Sequence, residues 1–265
     1  MNPIDVLLNH RTIREFKSSP MPPQQLSILL DIAKRTATSM GLQSFSIIRI
    51  VNPELKAAIA EVCNQEYVAR VPELFIFIVD AYRNSRIARE QGITSDIERD
   101  SDRFFQGWTD AAIAAQNMVA AAELGGFGTV FFGSILNNVP KMIELLKLPE
   151  LTFPVVGVGI GVPNQKPQLK PRMPREANVF DDSYTVFDSY LELLEDYDEE
   201  MEQYYDMRDT NRRVDSFTKQ VAGKKAVPLR QKLIQQAEAQ GLNLRCKGLN
   251  TFTPRAVTVK VFFMG

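Results

Sequence analysis

The run Leu74-Phe75-Ile76-Phe77-Ile78-Val79 is apolar at every position and has the length of a strand. A strand with one wet face alternates apolar and polar residues, so this run predicts a strand buried on both faces. Around it, residues 44–51 (SFSIIRIV), 129–132 and 153–160 read as further strands. Helical spacing appears over residues 24–37 (Leu26, Leu29, Leu30, Ala33) and 54–63 (Leu55, Ala58, Ile59, Val62). Residues 3–8 read as a short helix. Residues 108–124 read as an Ala-rich helix ending at Gly125-Gly126, suited to a central or interface position. Asn138 and Pro140 open a helix to residue 146 or 147, an acidic helix is expected over 190–205 with its carboxylates solvated, and a last one over 228–240 is capped by Gly241. Residues 83–103 read as a polar excursion over a site. This alternation of strands and helices indicates an α/β or α+β layered fold.

The chain has 265 residues, 45% apolar, with Lys+Arg 31 against Asp+Glu 32 and a net charge of −1. That length buries a large core, and the neutral balance gives no sign of nucleic acid or an anionic membrane as partner. Cys63 and Cys246 are too few and too far apart for a disulfide framework or a zinc motif, and Cys63 reads as a buried apolar residue. His10 is the single histidine, so mechanisms needing a His pair and His-rich metal sites are excluded. No signal segment and no apolar run of ~20 residues is present. A soluble, cytoplasmic setting is expected. Residues 246–265 differ in character from what precedes them, and read either as a strand added to a sheet edge or as an extension foreign to the domain.

Gly157-Val158-Gly159-Ile160-Gly161 has the look of a dinucleotide loop, but no helix starts at its third glycine; Val162-Pro163 and a proline-rich basic stretch follow. These glycines fit a strand lying close to a flat ligand or a packed helix. Two basic clusters stand out. His10-Arg11-Thr12-Ile13-Arg14 sets two arginines three apart, and Lys170-Pro171-Arg172 sets two cations on one side of an extended segment. Together they have the chemistry to hold a phosphate, with bidentate arginines and a lysine point charge; equally, they are ordinary surface cations.

The segments HRTIREF (10–16), RTATSMGLQSFSIIRI (35–50), FFGSILNN (131–138), GVGIGVP (157–163) and LKPRMPR (169–175) occur in the order found in the nitroreductase superfamily. The chain resembles its FMN-containing, NADPH-dependent nitroreductase and flavin reductase group over residues 1–245. This resemblance implies an α+β fold with a mixed central sheet flanked by helices, in an intertwined homodimer with two FMN sites at the interface.

By the same resemblance, His10, Arg11, Thr12 and Arg14 match the family's FMN-binding motif, and Lys170 and Arg172 match the cations completing its phosphate site. Thr38, Ser39 and Gln43 match a polar stretch lining the flavin from the other subunit. Gln65 matches an amide near the ring, and Phe131, Gly133 and Ser134 the strand end beside it. Arg14 is assigned the catalytic role of stabilising charge on the reduced ring, and Arg208, with Arg213, the recognition of NADPH. Met40-Gly41, Phe131, Ser134 and Leu136 depart from the commonest family residues and bear on substrate preference. The implied activity is ping-pong two-electron transfer from NADPH through FMN to nitroaromatics, quinones or similar small acceptors, without a metal. The alternatives are a flavin reductase supplying reduced FMN to a partner and a non-catalytic flavin-binding protein.

Overall fold

The computed structural model describes residues 2–94, 97–204, 215–225 and 230–244. Their strands are β1 (Phe45–Ile50), β2 (Glu73–Asp80), β3 (Gly128–Phe132) and β4 (Thr152–Gly161). The helices, in chain order, are α1 (Pro3–Leu8), α2 (Pro23–Lys34), α3 (Pro53–Cys63), α4 (Tyr67–Arg70), α5 (Ala81–Glu90), α6 (Ser101–Leu124), α7 (Val139–Leu146), α8 (Tyr190–Leu193), α9 (Glu195–Gln203), α10 (Phe217–Lys225) and α11 (Leu233–Ala239).

The strands form one sheet in the order β1-β2-β4-β3, so β1 and β3 are opposite edges. Every neighbouring pair is antiparallel. The parallel component of the expected mixed sheet is limited, at this sheet, to an isolated bridge between Thr12 and Thr129 on the outer edge of β3. Central β2 is buried on both faces from Glu73 to Val79, as its unalternating sequence requires. β4 is equally buried although it contains Pro154, which lacks an N–H for the ladder. The register shifts there: Phe77 pairs with Val156 and Ile78 with Pro154, leaving Val155 as a bulge.

Val79 faces Gly107 of α6, whereas Ile76 packs with Ile135 against Gly157. The sheet is thus covered by α6 on one face, and on the other by α3, α7 and the 3-10 turn Gly133–Asn138. On α6, Ala111, Ala114, Ala115, Met118, Val119 and Ala122 are all fully buried. Small side chains at helical spacing let this long helix lie close to the sheet. Gly159 and Gly161 of β4 meet packed side chains: Val71, Val130 and Phe132 for the first, Pro72 and Phe16 for the second. These glycines serve close packing within the chain.

Three readings need correction. The polar stretch 83–103, expected as an excursion over a site, is mostly helical where it is described: Asp80 caps α5 by accepting from the Arg83 N–H (3.0 Å), and Asp100 caps α6, which starts seven residues earlier than its apolar pattern suggested. The acidic helix is broken at Leu194, whose backbone leaves the helical region so that Leu194, Tyr197 and Met201 pack with Met173 and Phe217; most of its carboxylates are exposed, but Asp198 is half-buried and accepts from the N–H (3.0 Å) and the hydroxyl of Thr218. The last helix begins at Leu233, after Arg230 takes a left-handed conformation (φ 61). The tail beyond Leu244 lies outside the described residues.

Gly159→Ala places a methyl 2.7 Å from Val71 Cγ1 and 2.9 Å from Phe132 Cε2. The expected loss is about 1–3 kcal/mol of stability, read as a lower urea midpoint with an unchanged slope; an unchanged midpoint contradicts the packing described.

Candidate functional site

The HRTIR motif is fixed by backbone contacts rather than by a helix. Ile13 N–H donates to Thr129 O (2.8 Å), Lys17 N–H to Val162 O (2.8 Å) and Asn164 N–H to Glu15 O (2.9 Å). Gln165 Oε1 accepts from the N–H groups of Arg14 (3.2 Å) and Glu15 (2.7 Å). The stem of the second basic cluster is thereby tied to the first across 150 residues of sequence. Behind the motif, His10 Nδ1 and the Thr129 hydroxyl both meet Glu123 Oε1, at 2.7 and 2.5 Å. A carboxylate only accepts, so both groups donate. His10 is therefore an anchor, held by the last turn of α6.

Arg11 spends one guanidinium nitrogen on Asn9 O (2.9 Å). The Nε atoms of Arg11 and Arg14 are buried and without a hydrogen-bond partner among the described residues. A buried donor lacking an acceptor is costly, and an anion supplied from outside satisfies it. An open cavity of about 300 Å³ beside the motif is lined by His10, Arg11, Glu123, Gln165 and Lys166. This donor set fits the phosphate and the electron-rich ring edge of a flavin nucleotide. Lys170 and Arg172 are exposed, and Arg172 Nη1 donates back to Lys170 O (3.0 Å) and Pro171 O (3.2 Å).

A second group sits at the end of β3. Phe131 is the one exposed residue of that strand, and Gly133 and Ser134 follow it. The Ser134 hydroxyl donates to Gln65 Oε1 at 2.7 Å, which fixes that end of the amide as the acceptor. Thr12 pairs with Thr129, four residues before Gly133, so the two groups share one edge strand about 13 Å apart along it. Sequence reading missed Arg230 here. Its Nε and Nη2 reach Asn137 Oδ1 at 3.2 and 2.8 Å, and its Nη1 lies 4.0 Å from the position a Gly133 Cβ would take. Cys63 lies beneath, 2% exposed, and burial pushes its thiol up, against smaller opposing effects of Ser134 and Arg230.

Thr38, Ser39 and Gln43 lie elsewhere. They precede β1, the opposite edge of the sheet. Within one chain the two edges are separated by three strand spacings, about 14 Å. The loop is also bonded to Asp110 of α6, 13 residues from Glu123, which is about 20 Å along the helix axis. Arg208 and Arg213 lie outside the described residues.

Residues 7–162 match the Nitroreductase family and residues 170–245 the Nitroreductase family, C-terminal domain. The chain belongs to the nitroreductase family. It is 35% identical over 244 residues to an NADPH-dependent oxidoreductase of Staphylococcus saprophyticus, covering 89% of this chain and 96% of that one. It is 33% identical over 223 residues to an FMN reductase (NADPH) of Bacillus subtilis, covering 83% and 90%. Among solved structures, the NfrA1 nitroreductase from B. subtilis superposes with a TM-score of 0.86 at 31% identity, covering 92% of this chain and all of that one.

Glu123→Ala leaves the buried Thr129 hydroxyl without an acceptor and unpins His10. It is expected to cost about 1–3 kcal/mol, seen as a lower thermal midpoint; a nitroreductase-family fold of unchanged stability argues against Glu123 as the anchor of the motif.

Proposed function

We propose that this protein is an FMN-dependent NADPH oxidoreductase that reduces small electrophilic acceptors such as nitroaromatics and quinones. The observation that carries this reading is the pair of buried, partnerless Nε atoms in Arg11 and Arg14, on a motif rigidly clasped to the segment bearing Lys170 and Arg172. The relatives named as an NADPH-dependent oxidoreductase and an FMN reductase (NADPH) support the choice of cofactor and reductant. FMN, when bound, supplies two-electron transfer between the nicotinamide and an acceptor, one after the other at one face.

This chain's residues do the holding and the electrostatics. Arg11, with Lys170 and Arg172, binds the phosphate, and His10 and Thr12 fix the backbone that presents Arg11. Arg14 would hold the ring edge and stabilise its negative charge in the reduced form; a cation fixed in advance needs little reorganisation to do so. Gln65, oriented by Ser134, would offer an amide donor, and a backbone N–H at Gly133 or Ser134, beside Phe131, would serve as a donor to the flavin. No side-chain nucleophile is required. Thr38, Ser39 and Gln43 enter the same site from a second copy, because one chain holds them at the far edge of its own sheet. The working unit is therefore a homodimer. No described helix is long and apolar enough to cross a membrane, and a cytoplasmic setting suits a reductase drawing on NADPH. Residues 1–245 form the FMN-binding unit, with 246–265 as an appended tail.

Mixing the purified yellow protein with NADPH under anaerobic conditions should bleach the flavin, and a quinone or nitroaromatic should restore it. Absence of bleaching indicates a non-catalytic flavin binder. Bleaching with reduced FMN released into solution indicates a flavin reductase serving a partner. Arg208→Ala is expected to raise the KM for NADPH and leave NADH nearly unchanged; an equal effect on both removes recognition of the 2′-phosphate from Arg208.

A further inference from the structure

Asp110 is a carboxylate at 0% exposure in the middle of the apolar face of α6. Nothing in the proposed chemistry uses it. Its Oδ1 accepts from the N–H of Ser39 (2.8 Å) and its Oδ2 from the N–H of Ser44 (3.3 Å), so it closes the segment between them into a loop. That loop contains two non-glycine residues in the left-handed region, Met40 (φ 53) and Gln43 (φ 50). Such conformations are uphill and persist only where the surroundings impose them.

The surroundings here are specific. One turn before Asp110, Gly107 lets the loop backbone seat against α6: a Cβ there would lie 2.6 Å from Ser44 O. Arg103 Nη1 reaches Met40 Sδ at 3.3 Å. From α5, Asn84 Nδ2 donates to Leu42 O and to Ser44 Oγ, both at 3.2 Å, and Arg83 donates to the carbonyls of Gln43 and Phe45. The loop is thus shaped by two helices of its own chain, while Ser39 and Gln43 are the residues offered to a flavin held by the other copy.

We infer that Asp110 is a positioning residue that sets FMN affinity in the partner's site rather than in its own. This rests on the FMN reading and on the loop crossing the dimer. Asp110 acts through the Ser39–Gln43 loop without touching the flavin. Asp110→Asn keeps the volume, but replaces one accepting oxygen with an NH₂ that opposes a backbone N–H. Flavin-stripped Asp110→Asn dimers are expected to bind FMN roughly tenfold more weakly. A role confined to the core would lower the thermal midpoint and leave FMN affinity unchanged, which overturns the inference.

The direction of the effect is read in tagged heterodimers titrated with FMN. With Arg11→Ala on one chain and Asp110→Asn on the other, both lesions fall in one site and the second site keeps full affinity. With both substitutions on one chain opposite a wild-type chain, each site carries one lesion and none is intact. The reverse pattern overturns the inference. If Asp110→Asn does not fold, Asn84→Ala, a half-buried residue reaching the same loop, replaces it in the same pairings with the same expected pattern. A wild-type dimer that binds no FMN overturns the FMN reading itself, an outcome distinct from normal wild-type binding with unchanged affinity in the variants.

Discussion

The burial of α6 against the sheet is the contact from which the rest of the structure takes its geometry. Its alanines remove side-chain bulk so that 24 residues of rigid helix lie along four strands. Polar residues set into that apolar face then act as fixed posts. Glu123 holds His10 and Thr129 near one end, and Asp110 holds the Ser39–Ser44 loop some 20 Å away. A rigid helix cannot bring its two ends together. Both halves of the candidate site are therefore well formed in each chain and kept apart within it, which is a structural reason for a site shared between two copies.

The anion-binding half owes its order to backbone pairing. The motif from Arg11 to Lys17 is hydrogen-bonded to Thr129, to residues 162–164 and to the Gln165 side chain, so the backbone that carries Arg11 and Arg14 is fixed by the chain itself. Unpaired donors held in place attract an anion more strongly than mobile surface cations do, since little ordering remains when it binds. The same economy operates at Gln65, where one bond from Ser134 fixes the amide oxygen as acceptor.

The core of this arrangement was legible in the sequence because it depends on local signals. An unalternating apolar run gives β2, an Ala-rich period gives most of α6, and Asn138 and Gly125-Gly126 mark helix ends. Family motifs pointed to the proposed flavin residues and to the loop proposed to come from a second copy. What was not legible follows from long-range contacts. α5 buries only Ala81 and Ser85 and is polar over most of its length, so it offered no apolar stripe to read, and the Asp80 cap that starts it was overlooked. Asp110 reads in sequence as a polar interruption of an apolar helix; its importance appears only when Ser39 and Ser44, some 70 residues away, arrive at its two oxygens. Arg230 and Asn137, 93 residues apart, give no pattern at all. The fold-back of Arg172 on the carbonyls of Lys170 and Pro171 could not be read either, because an extended segment fixes where a side chain starts but not where a long guanidinium ends.

The most direct test of a site completed by two copies is FMN binding measured across the concentration range in which the protein dissociates, by sedimentation velocity with flavin absorbance detection. The account predicts one FMN per chain sedimenting with the dimer and none with the monomer, so that flavin is lost in step with dissociation. FMN sedimenting with the monomer at the affinity of the dimer would contradict it.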